Sequence, residues 1–255
     1  MIRAVLLDLA GVVYQGEQPL PGAVTAVGAL RDAGLRLRFL TNTTRTPRRE
    51  LLRRLEAMGV PIAQEELFTP AQAANVWLRA KKLSPYLLVH PALKEDFESL
   101  DGAKGEAVVV GDAGEAFTYP ALNTAFRKLI AGAEFLALAR NRTFKDIDGE
   151  LSLDAGAFVT ALEYSSRREA TLLGKPAPAF FRSALAGTGS GGEEAVMVGD
   201  DAEADVAGAL AAGIGSALLV RTGKYRQGDE EKVEPRPTQT VDDLAAATRW
   251  IMQHR

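Results

Sequence analysis

Carboxylates, an amide, a hydroxyl and a lysine follow short apolar runs at four separated places in this sequence. Asp8 ends the run AVLLD, and Thr41 and Asn42 follow the run LRFL. Lys175 lies in LLGKPAP, and Asp200 ends the run VMVGD. An aspartate can attack phosphorus and form an aspartyl-phosphate, while ammonium, hydroxyl and amide groups neutralise and orient phosphate oxygens. The four places together, in this order, indicate phosphoryl-transfer chemistry.

The last of these places carries three acidic residues within six positions. Asp200, Asp201 and Asp205 all lie in the stretch GDDAEAD, directly after an apolar run. Helix capping and the helix dipole explain one acidic residue at such a point, and capping remains open here as the structural alternative. Phosphoryl transfer to a carboxylate needs a cation to offset charge, and carboxylate oxygens hold Mg²⁺ well. We therefore expect Mg²⁺ as the cofactor.

Each of the other signals has a structural alternative when it is taken alone. Asp8 could form a turn, and Thr41 and Asn42 could hydrogen-bond within a loop. Lys175 could lie in a surface turn, although Pro176 favours an extended backbone that directs the lysine side chain. Only the occurrence of all four polar segments in this order favours phosphoryl-transfer chemistry over these separate structural roles.

Several polar residues lie outside this combination. Arg221 and Lys224 either add positive potential after the last predicted strand or lie in a solvated loop. The segment VVVGDAGEAF, with Asp112, resembles VMVGDDAEAD, and only one of the two need be catalytic. With only two histidines in the chain, we expect His90 to be structural or to line the substrate site, and His254 to lie in a frayed tail.

Aliphatic runs alternate with helical patterns along the chain, which predicts an α/β fold with parallel sheets. In such sheets the working residues gather beyond the carboxyl ends of the strands. The predicted strands are Val5–Leu9, Arg36–Thr41, Tyr86–His90, Ala107–Gly111, Phe135–Ala139, Ala170–Leu173, Ala195–Gly199 and Ser216–Val220. The predicted helices are Ala23–Ala33, Pro47–Met58, Pro70–Lys81, Pro120–Ala131, Ala155–Ser166, Ala177–Ala186 and Ala202–Ala212.

Composition excludes several classes of protein. The 255 residues carry 30 Lys+Arg against 33 Asp+Glu, so neither nucleic acid nor an anionic membrane is expected as a partner. The absence of cysteine excludes disulfides and thiolate nucleophiles and favours a cytoplasmic location. We expect no signal peptide and no membrane span, because Asp8 interrupts the first apolar run and the longest uncharged stretch, 206–220, is short.

The segments DLAGVVY, LTNT, GKP and GDDAEAD together resemble the motifs of the haloacid dehalogenase superfamily of phosphatases. Their spacing matches the type IIA branch, in which a large cap is inserted between the second and third motifs. The resemblance implies a doubly wound, Rossmann-like parallel-sheet core built from residues 1–75 and 152–255. It also implies a smaller α/β cap domain, residues 76–151, that covers the site, a small phosphorylated substrate and a homodimer.

Carried over residue by residue, the resemblance implies that Asp8 is the nucleophile and a Mg²⁺ ligand. The backbone carbonyl of Ala10 and the carboxylate of Asp200 would be the other ligands from the protein. Lys175 would be catalytic and would pair with the phosphate. The resemblance also implies phosphate contacts from Thr41, Asn42 and Thr43, and support of the metal-bound waters by Asp201 and Asp205.

Ala10 departs from the common pattern of the superfamily. Most of its phosphatases have a second aspartate there, which protonates the leaving group, and losing such a group typically costs about 10²–10⁴-fold in rate. A leaving imidazole, with a pKa of about 6.5, needs less help than an alkoxide. We therefore predict a Mg²⁺-dependent phosphohydrolase with a phospho-aspartyl intermediate that favours pyrophosphate or phosphoramidates such as phosphohistidine and phospholysine. The alternatives are a phosphomonoesterase for a sugar phosphate or phosphoglycolate, and a catalytically weak phosphate-binding or regulatory protein.

Overall fold

The computed structural model describes residues 1–97, 102–145 and 149–255 and divides the chain into two compact units. The first unit comprises Met1–Thr41, Arg49–Phe68 and Lys175–Arg255, and the second comprises Asn42–Arg48 and Thr69–Gly174. The domain bounds 1–75, 152–255 and 76–151 remain a prediction. The second unit has wider bounds than 76–151 because the helix Pro70–Lys81 packs on its sheet and the helix Ala155–Ser166 packs on the helix Tyr119–Ile130. The strand Thr171–Leu172 also pairs with the edge of this sheet.

Strands and helices alternate along most of the chain, as the sequence predicts. The strands of the described residues are β1 (Ala4–Asp8), β2 (Tyr14–Gln15), β3 (Gln18–Pro19), β4 (Arg36–Leu40), β5 (Leu67–Phe68), β6 (Leu83–Leu88), β7 (Gly105–Val110), β8 (Glu134–Ala137), β9 (Thr143–Lys145), β10 (Leu151–Leu153), β11 (Thr171–Leu172), β12 (Ala195–Gly199), β13 (Ser216–Val220) and β14 (Gln239–Val241). Their α-helices are α1 (Ala23–Asp32), α2 (Arg48–Ala57), α3 (Pro70–Lys81), α4 (Tyr119–Ile130), α5 (Ala155–Ser166), α6 (Pro178–Leu185), α7 (Gly208–Ala211) and α8 (Leu244–His254).

The first unit is built on a six-stranded parallel sheet with the order β14-β13-β12-β1-β4-β5. Every residue of β1 and β12 is buried, as expected for parallel strands covered on both faces. Helix α1 packs on α8 and β4, whereas α6 packs on α7 and β4. This arrangement confirms the predicted doubly wound, Rossmann-like core.

The sheet register brings the candidate residues to one end of this sheet. Strand β1 pairs with β12 on one side and with β4 on the other; Leu7 lies opposite Val198, and Asp8 lies opposite Leu40. Asp8, Asp200 and Thr41 therefore come at the carboxyl ends of three neighbouring strands. The position is the one at which open α/β sheets bind their ligands.

The second unit contains a four-stranded parallel sheet with the order β11-β8-β7-β6. Helix α4 packs on β6, β7 and α5. The core of the unit includes Val108, Val110 and Ala137 from the sheet and Leu129 and Val159 from the helices, all fully buried. Strands β9 and β10 pair antiparallel in a separate two-stranded sheet.

Three local predictions differ from the structure. The predicted strand Tyr86–His90 is observed as β6, Leu83–Leu88. The predicted helix Ala202–Ala212 is a π-helical turn over Ala202–Ala207 that leads into α7. The frayed tail expected around His254 is instead α8, where Asp243 caps the first turn and Ile251 is fully buried. None of the described helices combines the length and apolar character needed to cross a membrane.

Candidate active site

A buried lysine lies between two buried carboxylates at the carboxyl end of β1. Lys175 Nζ donates to Asp8 Oδ1 and, over 2.5 Å, to Asp205 Oδ1. The side chains of Lys175, Asp8 and Asp205 are 4%, 9% and 1% exposed. A buried charge is tolerated only when it is paired, so one ammonium group holds both carboxylates in place.

Asp200 completes a group of three buried carboxylates. One oxygen from each of Asp8, Asp200 and Asp205 lies within 4.8 Å of the others. Both oxygens of Asp205 accept hydrogen bonds, one from Lys175 and one from the Asp201 backbone N–H at 3.2 Å. Clustered carboxylate oxygens are the ligands that Mg²⁺ prefers, so the residues present fit this ion, with Asp8 and Asp200 better placed as ligands than Asp205.

The backbone around Ala10 is held by hydrogen bonds. Ala10 is exposed and follows the buried β1. The Gly11 N–H donates to the Tyr14 carbonyl at 2.7 Å, which fixes the plane of the peptide that contains the Ala10 carbonyl. A carbonyl ligand requires no particular side chain, so alanine at this position is compatible with metal binding.

The Asp200 carboxylate is enclosed by backbone from two loops. Its Oδ2 accepts a hydrogen bond from the Lys224 N–H at 2.7 Å. Gly11 and Gly223 both have positive φ, 87° and 62°, and a methyl group at either position would overlap this carboxylate. Each of these two positions therefore requires glycine for two reasons: its backbone has a positive φ, and there is no room for a side chain. Our sequence interpretation missed both glycines, although each follows a predicted strand.

Asp201 has the capping role that was left open for this acidic cluster. Its Oδ1 accepts from the N–H groups of Glu203 and Ala204 at 3.2 and 2.9 Å. Its Oδ2 lies 3.3 Å from Lys224 Nζ, an ammonium on a largely exposed side chain. Support of metal-bound waters by Asp201 remains a prediction.

The charges in this group shift one another's pKa values. Burial, reinforced by Asp205, raises the pKa of Asp200 to about 6. Burial also raises the pKa of Asp8, and Lys175 opposes this shift. For Lys175 itself burial acts to lower the pKa, but the Asp205 and Asp8 carboxylates outweigh it and the pKa is raised. The three carboxylates thus surround the buried Lys175 ammonium, and the more exposed Lys224 ammonium also acts to lower the pKa of Asp8 and Asp200. A divalent cation would add further positive charge to this group.

The predicted phosphate-binding residues are divided between the two units. Thr41 is buried directly after β4 in the first unit. Asn42 and Thr43 belong to the second unit. There, Asn42 lies against Gly174, where a methyl group would come within 2.9 Å of Asn42 Oδ1. The contact of these three residues with phosphate remains a prediction.

Residues outside the motif set have structural partners. Asp112 forms an ion pair with Arg45, and its N–H donates to Thr44 Oγ1 at 3.0 Å. His90 Nδ1 accepts from the Ala92 N–H at 3.3 Å at the start of a 3₁₀ turn. Asp112 is therefore engaged by an arginine, whereas Asp200, its counterpart in the repeated pattern, lies in the carboxylate group.

Comparisons with known proteins agree with these motifs. Residues 5–103 match the haloacid dehalogenase-like hydrolase family and residues 172–247 match the HAD-hydrolase-like family. A human relative, haloacid dehalogenase-like hydrolase domain-containing protein 2, is 44% identical over 99% of this chain and 97% of its own. Human phospholysine phosphohistidine inorganic pyrophosphate phosphatase is 40% identical over 99% and 95%.

Solved structures show the same fold. The 4-nitrophenylphosphatase of Thermotoga maritima is 26% identical, with a TM-score of 0.86 over 97% of both chains. The glycerol phosphate phosphatase of Mycobacterium tuberculosis, solved in complex with magnesium, is 28% identical, with a TM-score of 0.82 over 96% of this chain and 76% of its own. As the four sequence motifs predicted, the chain belongs to the haloacid dehalogenase-like hydrolases.

Proposed function

We propose that this chain, a phosphatase of the haloacid dehalogenase-like family, is a Mg²⁺-dependent phosphohydrolase of small phosphorylated compounds that uses Asp8 as its nucleophile. One observation carries the proposal: Lys175 bridges Asp8 and Asp205 in a buried group whose carboxylate oxygens, with those of Asp200, converge within 4.8 Å. Asp8, Asp200 and the Ala10 carbonyl would hold Mg²⁺. Bound there, the ion would offset negative charge between the nucleophile and the phosphate.

The reaction has two steps on Asp8. An Asp8 oxygen attacks phosphorus, the bond from phosphorus to the leaving group breaks, and the leaving group keeps the electron pair. Ala10 has no proton to give, so the leaving group takes its proton from water. A second water then attacks phosphorus, which releases phosphate and a proton and restores the Asp8 carboxylate. Lys175 orients Asp8 and pairs with phosphate oxygens, and Thr41, Asn42 and Thr43 would contact the remaining ones.

The methyl side chain of Ala10 favours substrates whose leaving groups do not depend on a positioned side-chain acid for their proton. Without a positioned acid, alkyl phosphate esters would lose about 10²–10⁴-fold in rate. Pyrophosphate, phosphohistidine and phospholysine carry P–O–P or P–N bonds, and the name of the human phosphatase that is 40% identical specifies these three compounds. These compounds are therefore the substrate class of the proposal.

A phosphomonoesterase is the second candidate, because the solved structures include a 4-nitrophenylphosphatase and a glycerol phosphate phosphatase. A catalytically weak phosphate-binding or regulatory protein is the third, and the absence of an acid at Ala10 favours it. The proposal also includes a cap role for residues 76–151, a homodimer and a cytoplasmic location. Sedimentation of the purified chain tests the homodimer.

The decisive experiment is a hydrolysis panel with and without Mg²⁺. It covers pyrophosphate, phosphohistidine, phospholysine, phosphoglycolate, glycerol phosphate and an aryl phosphate. We expect Mg²⁺-dependent turnover with the first three preferred, and its loss in Asp8→Asn, which keeps the side-chain shape and removes the attacking charge. Preference for the carbon esters favours the phosphomonoesterase, and a trapped phospho-Asp8 without turnover favours the regulatory protein. Undiminished turnover by Asp8→Asn refutes the mechanism.

A further inference from the structure

The segment that follows β13 contacts both loops that carry the expected metal ligands. The Thr222 hydroxyl donates to the Gly11 carbonyl, one residue beyond Ala10. Two residues further on, the Lys224 N–H donates to Asp200 Oδ2 at 2.7 Å. Residues 222–224, called here the 222–224 segment, therefore join the loop after β1 to the residue after β12.

Close backbone packing accompanies these hydrogen bonds. A methyl group on Gly11 would come within 2.9 Å of the Gly223 Cα, and one on Gly223 would come within 2.7 Å of the Gly11 Cα. The Asp200 carboxylate lies against both glycines. The two backbones and the carboxylate thus leave no room for a side chain, so the position of each depends on the other two.

We propose that the 222–224 segment is a positioning element for the Mg²⁺ site, in which Thr222 and Gly223 fix the Ala10–Gly11 backbone and the Asp200 carboxylate relative to each other. The inference rests on the proposed function. Groups that hydrogen-bond to metal ligands set ligand orientation, and their loss typically lowers metal affinity or activity by roughly 10–100-fold. Lys224 hydrogen-bonds the expected ligand Asp200 directly through its N–H. Ala10 offers only its backbone carbonyl, and that peptide is held by the Gly11 N–H bond to the Tyr14 carbonyl, while Thr222 holds the carbonyl of the next peptide, that of Gly11.

The first test compares Thr222→Val with Thr222→Ser in the full-length protein. Valine keeps the shape of threonine and removes the hydroxyl, whereas serine keeps the hydroxyl. Titration calorimetry with MgCl₂ alone gives the Mg²⁺ affinity without any substrate. Because Thr222 acts one peptide away from the expected ligand, we expect Thr222→Val to weaken Mg²⁺ binding by roughly tenfold, the lower end of the range for such supporting groups, and Thr222→Ser to bind Mg²⁺ like the parent. Both are measured at a temperature at which the metal-free variants are folded.

A second pair of variants separates the crowding at Asp200 from backbone strain. Gly223→Ala places a methyl group against Asp200 at a φ of 62°, whereas Gly16→Ala has an almost equal φ of 60° with nothing within 4 Å. Both substitutions introduce the same unfavourable backbone conformation. We expect only Gly223→Ala to weaken Mg²⁺ binding, while both lower metal-free stability.

The outcomes distinguish this inference from the function on which it rests. If the parent does not bind Mg²⁺, or if Asp200→Asn binds it equally well, the proposed metal site fails. If the parent binds Mg²⁺ and Asp200→Asn does not, but Thr222→Val binds like the parent, the positioning role is overturned. Equal weakening by Thr222→Val and Thr222→Ser overturns the assignment to the hydroxyl.

Discussion

Replacement of Lys175 by methionine tests the buried charge balance directly. Methionine keeps most of the chain length of lysine and removes the ammonium group that contacts Asp8 and Asp205. Removing one partner of a buried ion pair costs about 3–5 kcal/mol, because the other charge stays buried without compensation. At about 2–4 °C per kcal/mol for a protein of this size, the melting temperature should fall by about 6–20 °C at neutral pH without Mg²⁺.

The stability that is lost in Lys175→Met should depend on pH. Burial raises the folded-state pKa of Asp8 and of Asp205 above their unfolded values. Such a carboxyl contributes stability below its unfolded pKa and loses that contribution as pH rises through its folded pKa. Without Lys175 the folded-state pKa values of Asp8 and Asp205 rise further. As pH rises, the variant therefore continues to lose stability up to a higher pH than the parent does. The difference between Lys175→Met and the parent should therefore shrink as pH falls toward 4.

Thermal unfolding followed by circular dichroism between pH 4.5 and 8, with a chelator present, measures this difference. Lys224→Met is the matched control, because its ammonium pairs with Asp201 at 3.3 Å but its side chain is 72% exposed. Exposed ion pairs contribute less than about 1 kcal/mol. A Lys175→Met protein as stable as its parent at neutral pH, or one equally destabilised at every pH, refutes the buried charge balance.

Three further predictions concern the same end of the sheet. Ala10→Asp should raise turnover of alkyl phosphate esters, toward the roughly 10²–10⁴-fold that a positioned acid supplies. Kinetics on glycerol phosphate measure this increase, and an unchanged rate contradicts the prediction. Mg²⁺ must displace the proton of Asp200, whose pKa is about 6. Calorimetry should therefore show the affinity for Mg²⁺ falling about tenfold or more from pH 7 to pH 5. An affinity that does not change with pH argues against Asp200 as a ligand. Asp201→Ala should cost about 0.5–2 kcal/mol in urea unfolding through its lost helix cap, and unchanged stability would show that the cap contributes little.

The places of Asp8 and Asp200 at strand ends could be predicted because buried parallel strands leave a simple pattern in sequence. Strands covered on both faces give continuous apolar runs, so a charged residue that ends such a run, as Asp8 and Asp200 do, is conspicuous. The observed strands β12 and β13 coincide with the predicted ones, and β1 is shifted by one residue. Prediction succeeded where one local signal, an apolar run followed by a polar residue, was sufficient.

Long-range contacts explain what the sequence did not reveal. The short strands β5 and β14 owe their pairing to neighbouring strands, and two or three residues give no periodicity to detect. Thr222 and Gly223 are equally inconspicuous, because their contacts with Gly11 and Asp200 arise only when β13, β12 and β1 lie side by side. A threonine and a glycine after a strand are ordinary loop residues until that register is known.

Exposure at position 10 gives the Ala10→Asp variant its value as a test. Ala10 follows a buried strand but is itself exposed, so a carboxylate there would remain hydrated and would not incur the cost of a buried charge. Neither burial nor packing therefore requires alanine at this position. If Ala10→Asp folds like the parent and gains activity on carbon esters, the methyl group is a determinant of bond preference. If it folds and gains nothing, proton supply does not limit this enzyme and the preference must arise elsewhere.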